Sequence, residues 1–373
     1  MSGIYIHIPF CKKKCHYCDF YITLNKNNVS KLIEAIKFEL ILRKNFLNKN
    51  SIETIYFGGG TPSMISPNYI GNIIKEIKNN FSVNSNIEIT IEANPDDISL
   101  DNLLKWKKYG INRISLGVQT LNDNLLNFIN RSHDKKTAIA SIKKISEHYD
   151  NFSIDLIYGI PGNRYDKLKN DIKEIIKFNP PHISAYNLTI EKKTVFYNWL
   201  KNNIIKKEKE IEIIKQFNLL KNILEKEEYI QYETSSFCKK GYESKHNSGY
   251  WKRKKYLGIG PSAHSFDGKY RSWNISDNNK YISALNKRII PNTEEKLSKK
   301  MKINEIIMIG IRTKWGIDNK QLITQLKYDI LKNQKNTIDK LINDKLIYIN
   351  RTKIKATKKG SILLDYIAEK LLV

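Results

Sequence analysis

Cys11, Cys15 and Cys18 fall within eight residues, in the run Cys11-Lys-Lys-Lys-Cys15-His-Tyr-Cys18. Three clustered cysteines with no spaced partners do not read as a disulfide framework. They read as a metal or cluster site. Zinc takes four ligands, usually as two C-x2-C pairs or with a terminal His pair. No second pair is present, and His16 lies inside the loop. Three thiolates on a short loop suit three irons of a [4Fe–4S] cube and leave the fourth iron open for a substrate or cofactor. Idle exposed thiols would oxidise readily. The lysines between the cysteines would offset the negative charge of a thiolate-bound cluster. Cys238 stands alone and reads as a small buried apolar residue.

Other residues gain meaning from their position. Gly58-Gly59-Gly60-Thr61-Pro62 has no Lys and Ser/Thr in P-loop register, so it is not a Walker motif. Three glycines exceed what a turn needs and let backbone groups approach a ligand closely. Glu92 and Asp155 end apolar strands, where a carboxylate can accept hydrogen bonds from a ribose diol or an amine. Gln119 and Arg131 can hold a hydroxyl and a carboxylate. Each of these four residues alone would pass for a cap or a surface group. They matter only if one end of one scaffold collects them.

The scaffold is legible as alternating periods. Strand-like runs occupy Gly3–Ile8, Ile52–Phe57, Ile87–Ala93, Ile111–Val118, Phe152–Tyr158 and His182–Leu188, with helical patterns between them. Strand and helix alternate six times, which predicts parallel pairing with right-handed crossovers. Six units are too few for a closed eight-fold barrel, and no G-x-G-x-x-G follows the first strand. The expectation is an α/β fold, a partial (β/α)6 barrel. Functional groups of such folds gather at the C-terminal strand ends, where the cysteines, the glycines, Glu92, Gln119 and Asp155 fall. Residues 1–228 are expected to form this unit. Residues 229–294 form a connecting segment rich in Gly, Ser, Tyr and His, and 295–373 a mostly helical, winged-helix-like domain with a small hairpin.

The chain has 373 residues and 64 Lys+Arg against 38 Asp+Glu, a net charge of +26. That length buries a core without staples. Lysines are spread along the chain with no Arg-rich arm or aromatic RNA-binding motif, so the charge reads as compositional bias rather than a nucleic-acid surface. No apolar run reaches the roughly 18 residues of a membrane span. Pro9 and Cys11 interrupt the N-terminal apolar stretch where a signal peptide needs continuity. A cytoplasmic location is expected.

Taken in order, YIHIPFCKKKCHYCDF, YFGGGTPS, IEANP, GVQT, DLIYGIPG and LGIGPSAHSF resemble the radical S-adenosylmethionine (SAM) family around oxygen-independent coproporphyrinogen III oxidase. The resemblance spans nearly the whole chain. It implies that Cys11, Cys15 and Cys18 ligate a [4Fe–4S] cluster whose open iron chelates the methionyl group of SAM. By position it assigns Tyr5, Tyr17, Gly59, Gly60, Thr61, Glu92, Gln119, Arg131 and Asp155 to SAM, with Thr189 and His264 matched more loosely.

Two departures separate the chain from the decarboxylating oxidases. Those carry a further cysteine two residues past the third, where this chain has Phe20, and a longer segment before the cysteines. Both features resemble the HemW group of haem chaperones. So does His246-Asn-Ser-Gly-Tyr250-Trp251, which implies haem contacts at His246, Tyr250 and Trp251. The expectation is a haem chaperone that binds haem, a cluster and SAM and passes haem to an acceptor such as a respiratory haem protein. The competing expectation is an oxygen-independent coproporphyrinogen III dehydrogenase that decarboxylates propionates by radical chemistry. A nucleic-acid-binding tail comes third, because the tail lacks an Arg or Asn/Gln cluster for base edges.

Overall fold

The computed structural model describes residues 2–48 and 50–373. Six strands lie parallel in chain order: β1 (Ser2–Ile8), β2 (Ile52–Gly59), β3 (Val83–Ala93), β4 (Arg113–Gln119), β5 (Phe152–Tyr158) and β6 (His182–Asn187). Between them run α1 (Val29–Leu42), α2 (Pro67–Asn80), α3 (Leu100–Lys108), α4 (Asp123–Phe128), α5 (Lys135–His148) and α6 (Tyr165–Ile176). The partial (β/α)6 barrel read from the periodicity is therefore the observed architecture.

Period two decides which side chains meet a ligand. On β1, Ile4, Ile6 and Ile8 join the apolar core, while Tyr5 and His7 face a cavity. The same split sets Ile89 and Ile91 against Glu92 on β3, and Ile154 and Leu156 against Asp155 on β5. The helices complete the core. In α2, Ile70, Ile73, Ile74 and Ile77 form one buried stripe. Pro67 opens that helix and Ser66 caps it by accepting from the Asn68 amide.

The sheet continues beyond the repeat. After α7 (Val195–Lys201) and α8 (Glu210–Lys226), β7 (Ile230–Gln231) and β8 (Ser236–Cys238) close one edge against β6 in antiparallel fashion. The helix α9 (Lys245–Trp251) then leads into β9 (Lys255–Ile259), which runs parallel beside β1. Antiparallel β10 (His264–Phe266) and β11 (Tyr270–Asn274) follow, then α10 (Asn278–Asn286) and the edge strand β12 (Asn292–Lys296). Residues 229–294 thus add strands to the barrel sheet and two helices beside it. These strands are too short for alternation to show in sequence. Their packing is close: a Cβ on Gly258 would sit 1.9 Å from the carbonyl oxygen of His264.

Glu39 of α1 fastens this extension and is fully buried. It accepts from Arg43 Nη1 at 3.2 Å, Asn274 Nδ2 at 2.8 Å, Tyr281 OH at 2.5 Å and the Gly260 amide at 2.9 Å. A buried carboxylate needs this full set of donors. Arg43 also donates to the carbonyl of Gly258 at 3.2 Å and to Ser265 Oγ at 3.3 Å. The network therefore ties α1 to β9, β10, β11 and α10.

Beyond α11 (Lys299–Gly310) the chain is mostly helical, with a three-stranded sheet of Ile317–Asp318, Lys353–Ala356 and Ile347–Asn350. A second apolar cluster, from Ile303 to Leu371, draws all its members from α11 and the segment beyond it. Cys238 is buried at 1% exposure, as its isolation in sequence suggested.

Candidate functional site

The loop after β1 is pinned on both sides. Cys11 donates its amide to Thr23 at 3.0 Å and Thr23 returns one to Pro9 at 2.7 Å. His16 donates through its amide to Ile129 at 3.2 Å and through Nδ1 to the carbonyl of Phe128 at 2.9 Å. Asn130 Nδ2 reaches the Lys14 carbonyl at 2.8 Å. The loop is thus held against the end of α4.

Cys11, Cys15 and Cys18 line one cavity of about 510 Å³ together with Tyr17, Gly59, Gly60, Thr61, Glu92, Gln119, Arg131, Asp155 and Thr189. Thr61 Oγ1 donates to Cys11 Sγ at 3.4 Å, and Arg131 Nη1 to Cys15 Sγ at 3.6 Å. Arg131 is held by Asn94 Oδ1 at 2.5 Å and the Gly117 carbonyl at 2.7 Å. Gly117 leaves the space: a Cβ there would lie 3.2 Å from Arg131 Nη2. The register slips by one residue between Gly117 and Gln119, and Gln119 adopts φ 68°. This bulge re-aims its side chain into the cavity.

Burial raises the thiol pKa values of Cys11 and Cys18, the latter to about 11. Free Cys11 and Cys18 therefore hold their protons, which a bound metal must displace. Among the described residues, no three His, Cys, Asp or Glu side chains converge as a single metal ion requires. A cube takes each thiolate on a different iron, and three thiols on one cavity with hydrogen-bond donors at two sulfurs fit that group. The lysine expectation narrows for one of the three loop lysines. Lys12 is tied to Asp96 at 2.9 Å and Asp97 at 2.5 Å, while Lys13 and Lys14 line the cavity and Arg131 is the cation hydrogen-bonded to a cysteine sulfur.

Two carboxylates face the cavity. Glu92 accepts from Tyr56 OH at 2.8 Å and from the Gly59 amide at 3.3 Å. Burial, with Asp155 adding repulsion, raises its pKa to about 7. Asp155 accepts from Ser115 Oγ at 2.8 Å and Ser153 Oγ at 3.1 Å, and burial raises its pKa as well. The glycine run has an internal reason beside a ligand one. A Cβ on Gly59, at φ 108°, would strike the His7 ring at 2.5 Å, and one on Gly60 the Phe10 carbonyl at 2.7 Å.

A larger cavity of about 1090 Å³ adjoins the first, and Asp19, Phe20, Gly59, Glu92 and Tyr186 border both. Phe20 is 66% exposed at this junction. Tyr5, Tyr250, Trp251, Tyr256 and Phe266 give the larger cavity aromatic walls, and α11 closes it with Glu305, Met308 and Ile309. Arg253 and Arg271 share the one carboxylate of Glu305, at 2.9 and 2.5 Å.

The sequence pattern of the Radical SAM superfamily matches residues 5–175. The heme chaperone HemW of Lactococcus lactis is 35% identical to the chain over 375 residues, covering 100% of this chain and 97% of that protein. HemW of Bacillus subtilis is 31% identical, covering 97% of both. The chain belongs to the HemW family. In fold it matches the coproporphyrinogen III oxidase HemN of Escherichia coli with a TM-score of 0.85 and 21% identity, across 100% of this chain and 90% of that one.

Against this family background the structure sorts the expected residues. Twelve of them share the cysteine cavity, while Tyr5 and His264 line the larger one. Tyr250 and Trp251 also face the larger cavity. The family motif's His246 does not border either cavity and is buried at 3% exposure. Its Nδ1 meets Thr54 Oγ1 at 2.8 Å and its Nε2 meets Tyr250 OH at 2.8 Å. The ring stacks on Tyr56 with centroids 4.9 Å apart. Burial lowers its pKa to about 3. His246, expected from the motif to contact haem, here packs behind Tyr250, and Tyr250 makes the cavity wall. Sequence reasoning missed Asn94, Tyr186, Arg253, Arg271 and Glu305. Asn94 stood in the recognised IEANP run; nothing in the sequence paired the other four with a cavity.

Proposed function

We propose that the chain is a haem chaperone that holds a [4Fe–4S] cluster and SAM in the cysteine cavity and haem in the larger one. Cys11, Cys15 and Cys18 would ligate the cluster, and its open iron would anchor the methionyl end of SAM. Arg131 sets a positive charge and a hydrogen bond at Cys15. Glu92 and Asp155 offer acceptors for polar groups of the nucleoside. Gly59, Gly60 and Thr61 shape the floor.

The observation that carries the reading is the adjoining pair of cavities in a HemW family chain. One is lined by three thiols, and the other is aromatic, arginine-bearing and large enough for a porphyrin at the upper end of ordinary ligand pockets, roughly 300–1,000 Å³. Phe20 stands at their junction, at the position of the further cysteine in the oxidases. Haem would pass from the larger cavity to a haem-binding acceptor, such as a respiratory haem protein, in the cytoplasm. No helix among the described residues is long and apolar enough to cross a membrane. The separate apolar core supports reading 295–373 as its own domain over a barrel of 1–228 and its extension 229–294.

The test is transfer. Anaerobically reconstituted protein is loaded with haem and mixed with an apo haem protein while the Soret band is followed. Transfer from the loaded chain supports the reading. Multiple-turnover formation of protoporphyrinogen from coproporphyrinogen would replace it with the oxidase reading.

A further inference from the structure

A haem in the larger cavity would be fixed by a side chain able to ligate its iron, with histidine among the usual choices, and the inference below rests on that functional reading. The protein has 7 histidines. His16, His133, His148 and His182 make hydrogen bonds away from the larger cavity. Three remain at or behind its walls. His7 lines it, but Nε2 donates to the Tyr21 carbonyl at 3.0 Å and Nδ1 accepts from Tyr5 OH at 3.2 Å. His246 lies behind Tyr250 with both nitrogens engaged. His264 lines the cavity, is exposed, and among the described residues makes its ring contact with Trp273, at 6.0 Å between centroids. We propose that His264 ligates the haem iron.

The strand carrying it is built for a fixed position. His264 opens β10 and pairs with Trp273, and Phe266 pairs with Arg271. Alternation puts His264 and Phe266 on one face of the sheet about 7 Å apart along the strand, with Arg271 opposite Phe266. Gly258 admits the His264 carbonyl, and Arg43 bonds Ser265 from below. The imidazole is thus presented by a strand anchored in the Glu39 network rather than by a loose loop.

The polar end of a porphyrin also has a partner. Arg253 and Arg271 share a single carboxylate, so this wall keeps a surplus positive charge. Arg271 Nε is buried without a hydrogen bond. An anionic propionate would supply the missing acceptor, in the bidentate fashion that guanidinium favours. An imidazole with a guanidinium further along the same sheet face matches a planar ligand with a central metal and carboxylates on one edge.

The test compares haem spectra of the full-length wild type, His264→Ala and His246→Ala. Imidazole-ligated haem is expected in the wild type and in His246→Ala. His264→Ala is expected to shift the Soret and visible bands and to bind haem at least roughly tenfold more weakly, about 1.4 kcal/mol. Added imidazole is expected to restore the wild-type band positions in that variant, a result that misfolding could not give. Wild-type bands and affinity in His264→Ala would overturn the assignment and leave the chaperone reading standing. No saturable haem band in the wild type would overturn both.

Discussion

The Nε2 of His246 and the hydroxyl of Tyr250 lie 2.8 Å apart, one helical turn from each other on α9. The helix turns the imidazole inward and the phenol toward the larger cavity. The carboxylate of Glu88 holds the start of α9 by accepting from the amides of Lys245 and His246, at 3.1 and 3.0 Å. Gly3 makes room, since a Cβ there would lie 2.7 Å from Thr54 Oγ1 and 3.2 Å from His246 Nδ1. Within this motif the histidine packs behind the wall, and Tyr250 and Trp251 line the cavity.

His246→Ala therefore strips partners from two hydroxyls and opens a cavity under Tyr250. The expected loss of stability is about 2–4 kcal/mol, read by denaturant unfolding. Haem binding should weaken while the iron keeps its imidazole signature. Unchanged stability would mean that the ring is not packed as described.

Arg131→Gln removes the cation at 3.6 Å from Cys15 Sγ. A positive charge beside a cluster favours its reduced form. The reduction potential of the reconstituted cluster should therefore fall, by roughly tens of millivolts. Redox titration followed by electron paramagnetic resonance measures it; a potential that holds or rises would remove Arg131 from the cluster's surroundings.

Glu92 gives a pH dependence with a definite sign. Between its ordinary 4.5 and about 7 the folded chain keeps a proton that the unfolded chain has released. Stability of the unloaded protein should therefore fall as pH rises through that interval. Glu92→Gln should flatten this part of the profile by on the order of 1–2 kcal/mol, because the carboxylate borders solvent in the cavity. Thermal melts at pH 5 and pH 7.5 check it, and identical profiles for both proteins would show that Glu92 ionises normally.

Much of this site could be read from residue order. The alternation on β1, β3 and β5 told which residues face the helices, because a period of two leaves no choice once one face is apolar. The thiols, the glycines, Glu92, Gln119 and Arg131 then had to gather at one end. The part from Tyr229 to Lys296 was opaque for physical reasons. Strands such as His264–Phe266 have three residues, too few to show a period. Their order depends on contacts distant in sequence, such as Glu39 with Asn274. The inward turn of His246 could not be seen either, since it follows from α9 packing on Thr54 and Tyr56.

Glu39→Ala would leave Arg43 buried with its charge uncompensated and free the donors of Asn274, Tyr281 and Gly260. A loss of about 3–5 kcal/mol is expected. Hydrogen exchange should rise first in β9, β10 and β11. Protection changes confined to α1 would contradict the role given to this carboxylate.

The most direct measurement is a haem titration of anaerobically reconstituted protein with iron and sulfide counted before and after. Saturation by haem with the cluster content unchanged is expected if the two ligands occupy the separate cavities proposed for them. Haem that displaces the cluster, or that binds only when Cys11, Cys15 and Cys18 are unligated, would contradict the two-cavity assignment.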